Sequence, residues 1–170
     1  MSSKAIVSLG SNLGDRTAKL QEAVERLSYA CRILKMSNIY ETYAKYGIRR
    51  TPYLNCCAEI ETDMTSRQLM QLLLEIENQL DEMPGYGDET NHCSIDCDLI
   101  SFEKEVIFTP TLTLPHPDAY RRAFVMIPLA EMQPEWVHPL LQKTAVELAQ
   151  SAFWPGWGTF FADGKSLLDF

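Results

Sequence analysis

Apolar and polar positions follow two periods along this chain, and the switches between them mark its elements. Lys4 to Leu9 (Lys-Ala-Ile-Val-Ser-Leu) is a mostly apolar run of the kind that forms a buried strand. Gly10-Ser11-Asn12-Leu13-Gly14-Asp15 then predicts a turn, with Asp15 as a helix N-cap. Leu20, Ala23, Val24, Leu27 and Ala30 recur at helical spacing. Cys31 to Tyr43 is strand-like, with Ile33, Ile39 and Tyr40 as core candidates, and residues 43–52 carry no period, which predicts a loop. Tyr53 to Thr62 alternates strictly, as a half-covered antiparallel strand does.

A second helix is announced by Thr65 and Gln68 at capping-box spacing, followed by the stripe Leu69, Leu72, Leu73, Ile76 and Leu80. Residues 84–92 are rich in breakers and predict a second loop. A strand follows through Phe102, then a turn at Glu103-Lys104, short extended pieces at 105–108 and 111–114, and Pro115-His116-Pro117. Arg121 to Met132 is helical in part, with Pro128 either interrupting the helix or standing at its start. The order is strand, helix, strand, strand, helix, strand. It predicts an α+β fold of the ferredoxin-like split β-α-β type, an antiparallel sheet with helices on one face and the other face free for a site. The length of 170 residues suits one domain spanning 1–170.

The strand after the second loop carries the most pointed chemistry. In Ile95-Asp96-Cys97-Asp98-Leu99-Ile100-Ser101-Phe102, alternation turns Asp96 and Asp98 to one face, with Ile100 and Phe102 expected to continue it. Two carboxylates roughly 6.5–7 Å apart at Cα can converge on hard divalent cations and leave positions open for phosphate oxygens. Acids at a solvent-facing strand start are the plain alternative. The net charge of −8 argues against a nucleic-acid partner. No apolar run is long enough to span a bilayer, and there is no signal-type N-terminal stretch. Five cysteines without a C-x-x-C pair suit reduced thiols in a cytoplasmic protein, and His92-Cys93 with Cys97 lacks the second pair that structural zinc needs.

Several pieces together resemble one family. Gly10-Ser11-Asn12-Leu13-Gly14-Asp15-Arg16, Tyr53-Leu54-Asn55, Ile95-Asp96-x-Asp98-Leu99-Ile100, Glu105-Val106-Ile107 and Pro115-His116, with Phe124 and Pro128-Leu129, stand in the order and spacing of 6-hydroxymethyl-7,8-dihydropterin pyrophosphokinase. The resemblance runs from about Lys4 to Pro139 and leaves the tail, 140–170, uncovered. It implies transfer of pyrophosphate from ATP to the pterin hydroxymethyl oxygen with release of AMP. Two magnesium ions are then held by Asp96 and Asp98, and Arg122 joins these as a catalytic residue. By the same resemblance Thr42, Tyr53, Asn55 and Phe124 form the pterin pocket, while Glu77, Thr113, His116 and Arg122 lie at the nucleotide. Small-molecule pterin and ATP are the implied partners, with no nucleic acid and no membrane.

The chain departs from the family where positive charge is usual. Asn91-His92-Cys93 replaces Gly-Pro-Arg, the second helix exits through Glu82-Met83-Pro84, the loop carries Asp88 and Glu89, and Thr111 stands where arginine is frequent. Lys45, Arg49 and Arg50 in the first loop are candidate replacements. Two other readings stay open at this point. One is a catalytically degenerate relative that binds a pterin-like ligand. The other is an interaction module that uses the aromatic tail Phe153-Trp154-Pro155-Gly156-Trp157-Gly158-Thr159-Phe160-Phe161.

Overall fold

The structure is a computed structural model that describes residues 1–43, 52–81, 95–152 and 158–170. The expectations for Lys45, Arg49, Arg50, residues 84–92, the Asn91-His92-Cys93 replacement and the tail residues 153–157 lie outside the described residues.

Strand β1 (Ser3–Ser11) is buried along most of its length and occupies the middle of the sheet. It is followed by helix α1 (Arg16–Ser28), whose N-cap Asp15 accepts from the Ala18 amide. Gly14 takes φ +67 in the turn between them. Leu20, Ala23, Val24 and Leu27 are buried on one side of α1 as expected. Ala30 is not: the helix ends before it, and it is exposed.

The strand-like stretch after α1 is two strands rather than one. β2 (Arg32–Met36) and β3 (Ile39–Thr42) both pair with β4 (Tyr53–Thr62). Ser37 makes the break between them. Its amide donates to the Cys57 carbonyl at 2.9 Å and its hydroxyl accepts from the Cys57 amide at 2.8 Å, so the β4 backbone stays satisfied across the step.

Helix α2 (Ser66–Leu80) begins with the expected capping box between Thr65 and Gln68. Strand β5 (Asp96–Phe102) returns antiparallel to β1 at one edge of the sheet. β6 (Ile107–Phe108) and β7 (Thr113–Leu114) form a small ribbon. Helix α3 (Ala123–Met132) runs through Pro128 without a break, so the proline neither starts nor ends it. α4 (Ala145–Ser151) follows with its own capping box, Thr144 and Glu147. The tail contains a strand that its aromatic composition concealed, β8 (Gly158–Ala162), which pairs with β3 and forms the opposite edge. The sheet order is β5-β1-β4-β3-β8, with β2 also against β4. This is the expected ferredoxin-like arrangement with one strand added.

The two faces of the sheet have separate cores. Ala5, Val7 and Leu9 of β1, Leu54, Cys56, Ala58 and Ile60 of β4, and Cys97 and Leu99 of β5 join the buried sides of α1 and α2. Ile6, Cys57 and Ile100 point the other way and pack under α3 and α4. The second face is therefore half covered, not open as the split β-α-β pattern suggests. Among the described residues, the end carrying Asp96, Gly10 and Asn55 stays outside that packing and is where a site can sit. Phe102 also departs from expectation. The β1–β5 register shifts between Ile6 and Val7, and this bulge returns Phe102 to the α1–α2 side, while Ile100 stays with Asp96 and Asp98.

The C-terminus closes against the β2–β3 break. A Cβ on Gly164 would lie 1.7 Å from the Ser37 carbonyl oxygen, so only glycine fits there. Gly164→Ala should cost about 1–3 kcal/mol of stability through this overpacking. Urea unfolding of the variant beside the parent chain measures it, and equal midpoints would contradict the packing described.

Candidate active site

The register of three strands builds the site. Gly10 of β1 stands opposite Asp96 of β5 on one side and opposite Asn55 of β4 on the other, and Tyr40 of β3 stands next to Asn55. Asp96, Gly10, Asn55 and Tyr40 thus form one row across the sheet, on the face away from α1 and α2. Strand spacing sets Asp96 and Asn55 about 9.5 Å apart at Cα. Gly10 lets the Asn55 amide lie across the strand between them. A Cβ there would lie 2.8 Å from Asn55 Oδ1 and 3.8 Å from the Tyr53 ring. The close approach of the Asn55 oxygen needs a residue without a side chain here, a signal present in the sequence as glycine on the site-facing parity of β1.

One wall of the site is neutral and hydrogen-bonded. Asn55 and Thr42 are both buried, and Asn55 Nδ2 donates to Thr42 Oγ1 at 2.7 Å. That bond fixes the amide so that Oδ1 lies over Gly10. Tyr53 is half-buried beside them and pairs with Thr42 across the strands. Farther along the row the Tyr40 hydroxyl donates to Glu131 of α3, which also accepts from the Asn38 amide at 3.0 Å. Burial first, and the Glu131 bond second, push the Tyr40 phenol up to about 12. Sequence reading placed Tyr40 in the core. Its parity with Thr42 is the signal that it belongs to the row.

The other wall is charged. Asp96 and Asp98 lie on the same side of β5, as alternation requires. His116 Nε2 stands 3.6 Å from Asp98 Oδ1, and Arg122 Nη1 stands 3.6 Å from Asp98 Oδ2. Two backbone bonds explain the placing of His116. Its amide donates to the Ile100 carbonyl at 2.9 Å, and its Nδ1 accepts from the Asp118 amide at 3.2 Å. With Nδ1 so occupied, the ring hydrogen of neutral His116 is on Nε2, toward Asp98. Arg122 caps the start of α3 and lies over the Phe124 ring, 5.8 Å from its centroid. Phe124 is thereby held next to the charged wall, on the helix that covers the neighbouring part of the face.

Glu77 approaches β5 from α2. Its Oε1 accepts from the Cys97 amide at 2.6 Å, closing a backbone donor on the strand edge. Burial, then Asp96 and Asp98, push the Glu77 carboxyl up to about 7. Asp96 is raised as well, by desolvation first and by Asp98 second, while its bond from Glu77 and the charges of Arg122 and His116 pull it back. Thr113, expected on the nucleotide side, is not brought to the carboxylates by the described contacts. It sits in the β6–β7 ribbon on the run into His116.

The donor set here is hard oxygen, which suits magnesium-like cations. Among the described residues no cluster of three or more His, Cys, Asp or Glu could hold a metal by itself. A cation bound by Asp96 and Asp98 would take its other ligands from water and from an anionic substrate.

Comparisons with known proteins agree with this geometry. The family model for 7,8-dihydro-6-hydroxymethylpterin-pyrophosphokinase (HPPK) matches residues 6–134. The chain is 38% identical over 136 residues to the 2-amino-4-hydroxy-6-hydroxymethyldihydropteridine pyrophosphokinase of Bacillus subtilis, covering 78% of this chain and 79% of that protein. It is 32% identical over 159 residues to the protein of the same name from Synechocystis, covering 89% and 79%. Folic acid synthesis protein FOL1 of Dictyostelium discoideum is 30% identical over 138 residues, 81% of this chain, but the chain spans only 21% of that protein's length. Among solved structures, Plasmodium falciparum HPPK-DHPS with pteroate superposes with a TM-score of 0.69 at 17% identity, over 88% of this chain and 42% of that one. That likeness carries the fold.

The Glu77 shift gives a signed stability prediction. The folded-state value, about 7, lies above the ordinary 4.5, so the folded chain binds the extra proton between them. Stability from this group is full below about pH 4.5 and is lost as pH rises through about 7. Glu77→Gln keeps the acceptor for Cys97, supplies an N–H toward Asp96 and does not titrate. Without nucleotide or divalent ions, its melting temperature should exceed the parent's at pH 8, and the gap should close toward pH 5. A gap that does not vary with pH would contradict the assignment.

Proposed function

The chain belongs to the 7,8-dihydro-6-hydroxymethylpterin-pyrophosphokinase family, and from that premise we propose that it transfers pyrophosphate from ATP to 6-hydroxymethyl-7,8-dihydropterin in folate biosynthesis. The reaction is magnesium-dependent. The hydroxymethyl oxygen attacks the β-phosphorus, the bond to the α–β bridging oxygen breaks, AMP leaves, and the hydroxyl proton is released. The observation that carries this reading is the row Asp96–Gly10–Asn55: the register brings an acid pair and a fixed amide to one face, with a glycine between them over which the amide oxygen lies.

Each wall takes one substrate. The Asn55–Thr42 pair offers fixed hydrogen-bonding groups to the edge of a flat heterocycle, and Tyr53 and Phe124 supply aromatic surface for its faces. Asp96 and Asp98 are the residues that would hold magnesium with ATP, and two ions is the finer form of the proposal. Magnesium bound there would neutralise triphosphate charge and orient the phosphate chain. Arg122 and His116 face the same acid pair and add positive charge and an N–H donor. Glu77 and Thr113 complete the nucleotide side. The chemistry asks the protein chiefly for positioning and charge stabilisation, which these two walls supply. The four described cysteines are free and buried, which suits a reducing, cytoplasmic setting. Among the described residues no helix is long and apolar enough to cross a membrane.

The test is AMP release from ATP, dihydropterin and magnesium. The parent chain should form AMP, and EDTA should abolish it. Asp96→Ala and Asp98→Ala should each lose about 10²–10³ in rate, the scale of removing one preorganised electrostatic group. Asn55→Ala should raise the KM for dihydropterin more than that for ATP. Binding of the pterin without AMP formation would instead favour the degenerate relative, and no binding of either ligand would overturn the reading.

A further inference from the structure

Arg16, the first residue of α1, reaches back to the end of the sheet, where three partners meet its guanidinium. Nη1 donates to the Pro52 carbonyl at 2.7 Å, and Nη2 pairs with Glu41 Oε2 at 2.8 Å. The ring of Phe161, from β8, lies against it with Cζ 5.9 Å from the centroid. Both members of the ion pair are largely withdrawn from water, with side chains 20% and 24% exposed. The partners are placed pointedly. Glu41 immediately precedes Thr42, and Pro52 immediately precedes Tyr53. Thr42 and Tyr53 are the last cross-strand pair of β3 and β4, and Thr42 is the group that fixes the Asn55 amide.

We infer that Arg16 is a positioning residue for the bicyclic substrate, fixing the Thr42–Tyr53 rung from behind the sheet while Phe161 holds the guanidinium in place. The inference rests on the pterin reading above. Glu41 pairs with Leu54, whose side chain lies in the α1–α2 core, so the clamp is on the opposite face from the site. It touches no substrate and acts only through the strand ends it ties. A planar fork can bond a carboxylate and a carbonyl at once and still stack on a ring. A lysine ammonium cannot reproduce that set. The acids of β5 lie beyond β4 and β1 in the sheet order, so loosening the rung should disturb the pterin side and spare the nucleotide side. The clamp also gives the C-terminal strand, which lies past the family match at residue 134, a route to the pocket.

Steady-state kinetics of the full chain test this, using Arg16→Met, Arg16→Lys and Phe161→Ala. Arg26→Met is the control, since Arg26 makes an ion pair on the same helix with Glu22 at 2.8 Å and has no link to the rung. Arg16→Met should raise the KM for dihydropterin about tenfold or more, the scale of a lost charged hydrogen bond. The KM for ATP should stay within about twofold. Arg16→Lys should recover little, Phe161→Ala should show a smaller rise of the same kind, and Arg26→Met should change neither KM. If Arg16→Met does not fold, Arg16→Lys and Phe161→Ala carry the same comparison. Unchanged pterin KM, or equal shifts in both KM values, would overturn the clamp while leaving the proposed function intact. A parent chain that neither binds pterin nor forms AMP would remove both.

Discussion

Everything at the site depends on the register of β5, β1 and β4. A slip of one residue in either pairing would carry Asp96 and Asp98, or Asn55, to the α1–α2 side and replace them with Cys97 or Leu54. The register is secured by what the other parity buries. Val7 and Leu9, Cys56 and Ala58, and Cys97 and Leu99 are all core residues, and exposing such a set would cost several kcal/mol at about 1.5–3 kcal/mol per large aliphatic side chain. Polar groups with no intrinsic preference for a shared surface are therefore lined up by the apolar residues between them. The bulge between Ile6 and Val7 belongs to the same logic. It comes after the acid pair along β5, so Phe102 can rejoin the core without disturbing Asp96 or Asp98.

The row joins two kinds of order. On the Asn55 side, buried neutral groups satisfy one another and little changes with pH or salt. On the Asp96 side, three carboxyl groups crowd one strand edge, and the raised values of Glu77 and Asp96 express that crowding as repulsion and desolvation. His116 and Arg122 offset part of it from loops and helix ends rather than from the sheet. Fixed groups suit a flat heterocycle. An acid cluster of this kind is costly on its own and would be relieved by a bound cation.

Local signals carried most of the fold. Asp15, Thr65 with Gln68, and the stripe of α2 stand where their spacing put them, because capping and helical periodicity are set within a few residues. The misreadings are all decisions made by distant partners. Ser37 splits one expected strand into two by bonding Cys57. Pro128 sits inside α3, a helix so apolar that tertiary burial outweighs the lost backbone bond. Gly158 to Ala162 is a strand because β3 offers an edge, which composition alone cannot reveal. At the site, the same-face acids were legible from alternation. Gly10 and Tyr40 had strand parity alone as a signal and the approach of Glu77 to Cys97 had none, since each takes its meaning from a cross-strand or helix–strand contact.

The charge of the whole chain bears on how such a site can accept a triphosphate. With a net charge of −8 and an acid pair in its wall, the protein repels a free polyphosphate at long range. Among the described residues Arg122 faces Asp98 and is already engaged there, so it offsets protein charge before it would offset ligand charge. Under the proposed function, metal bound with the nucleotide would supply positive charge at the phosphates beside that of Arg122 and His116. Under the proposed function the acid pair would thus favour metal-bound over free nucleotide, because it repels the bare anion.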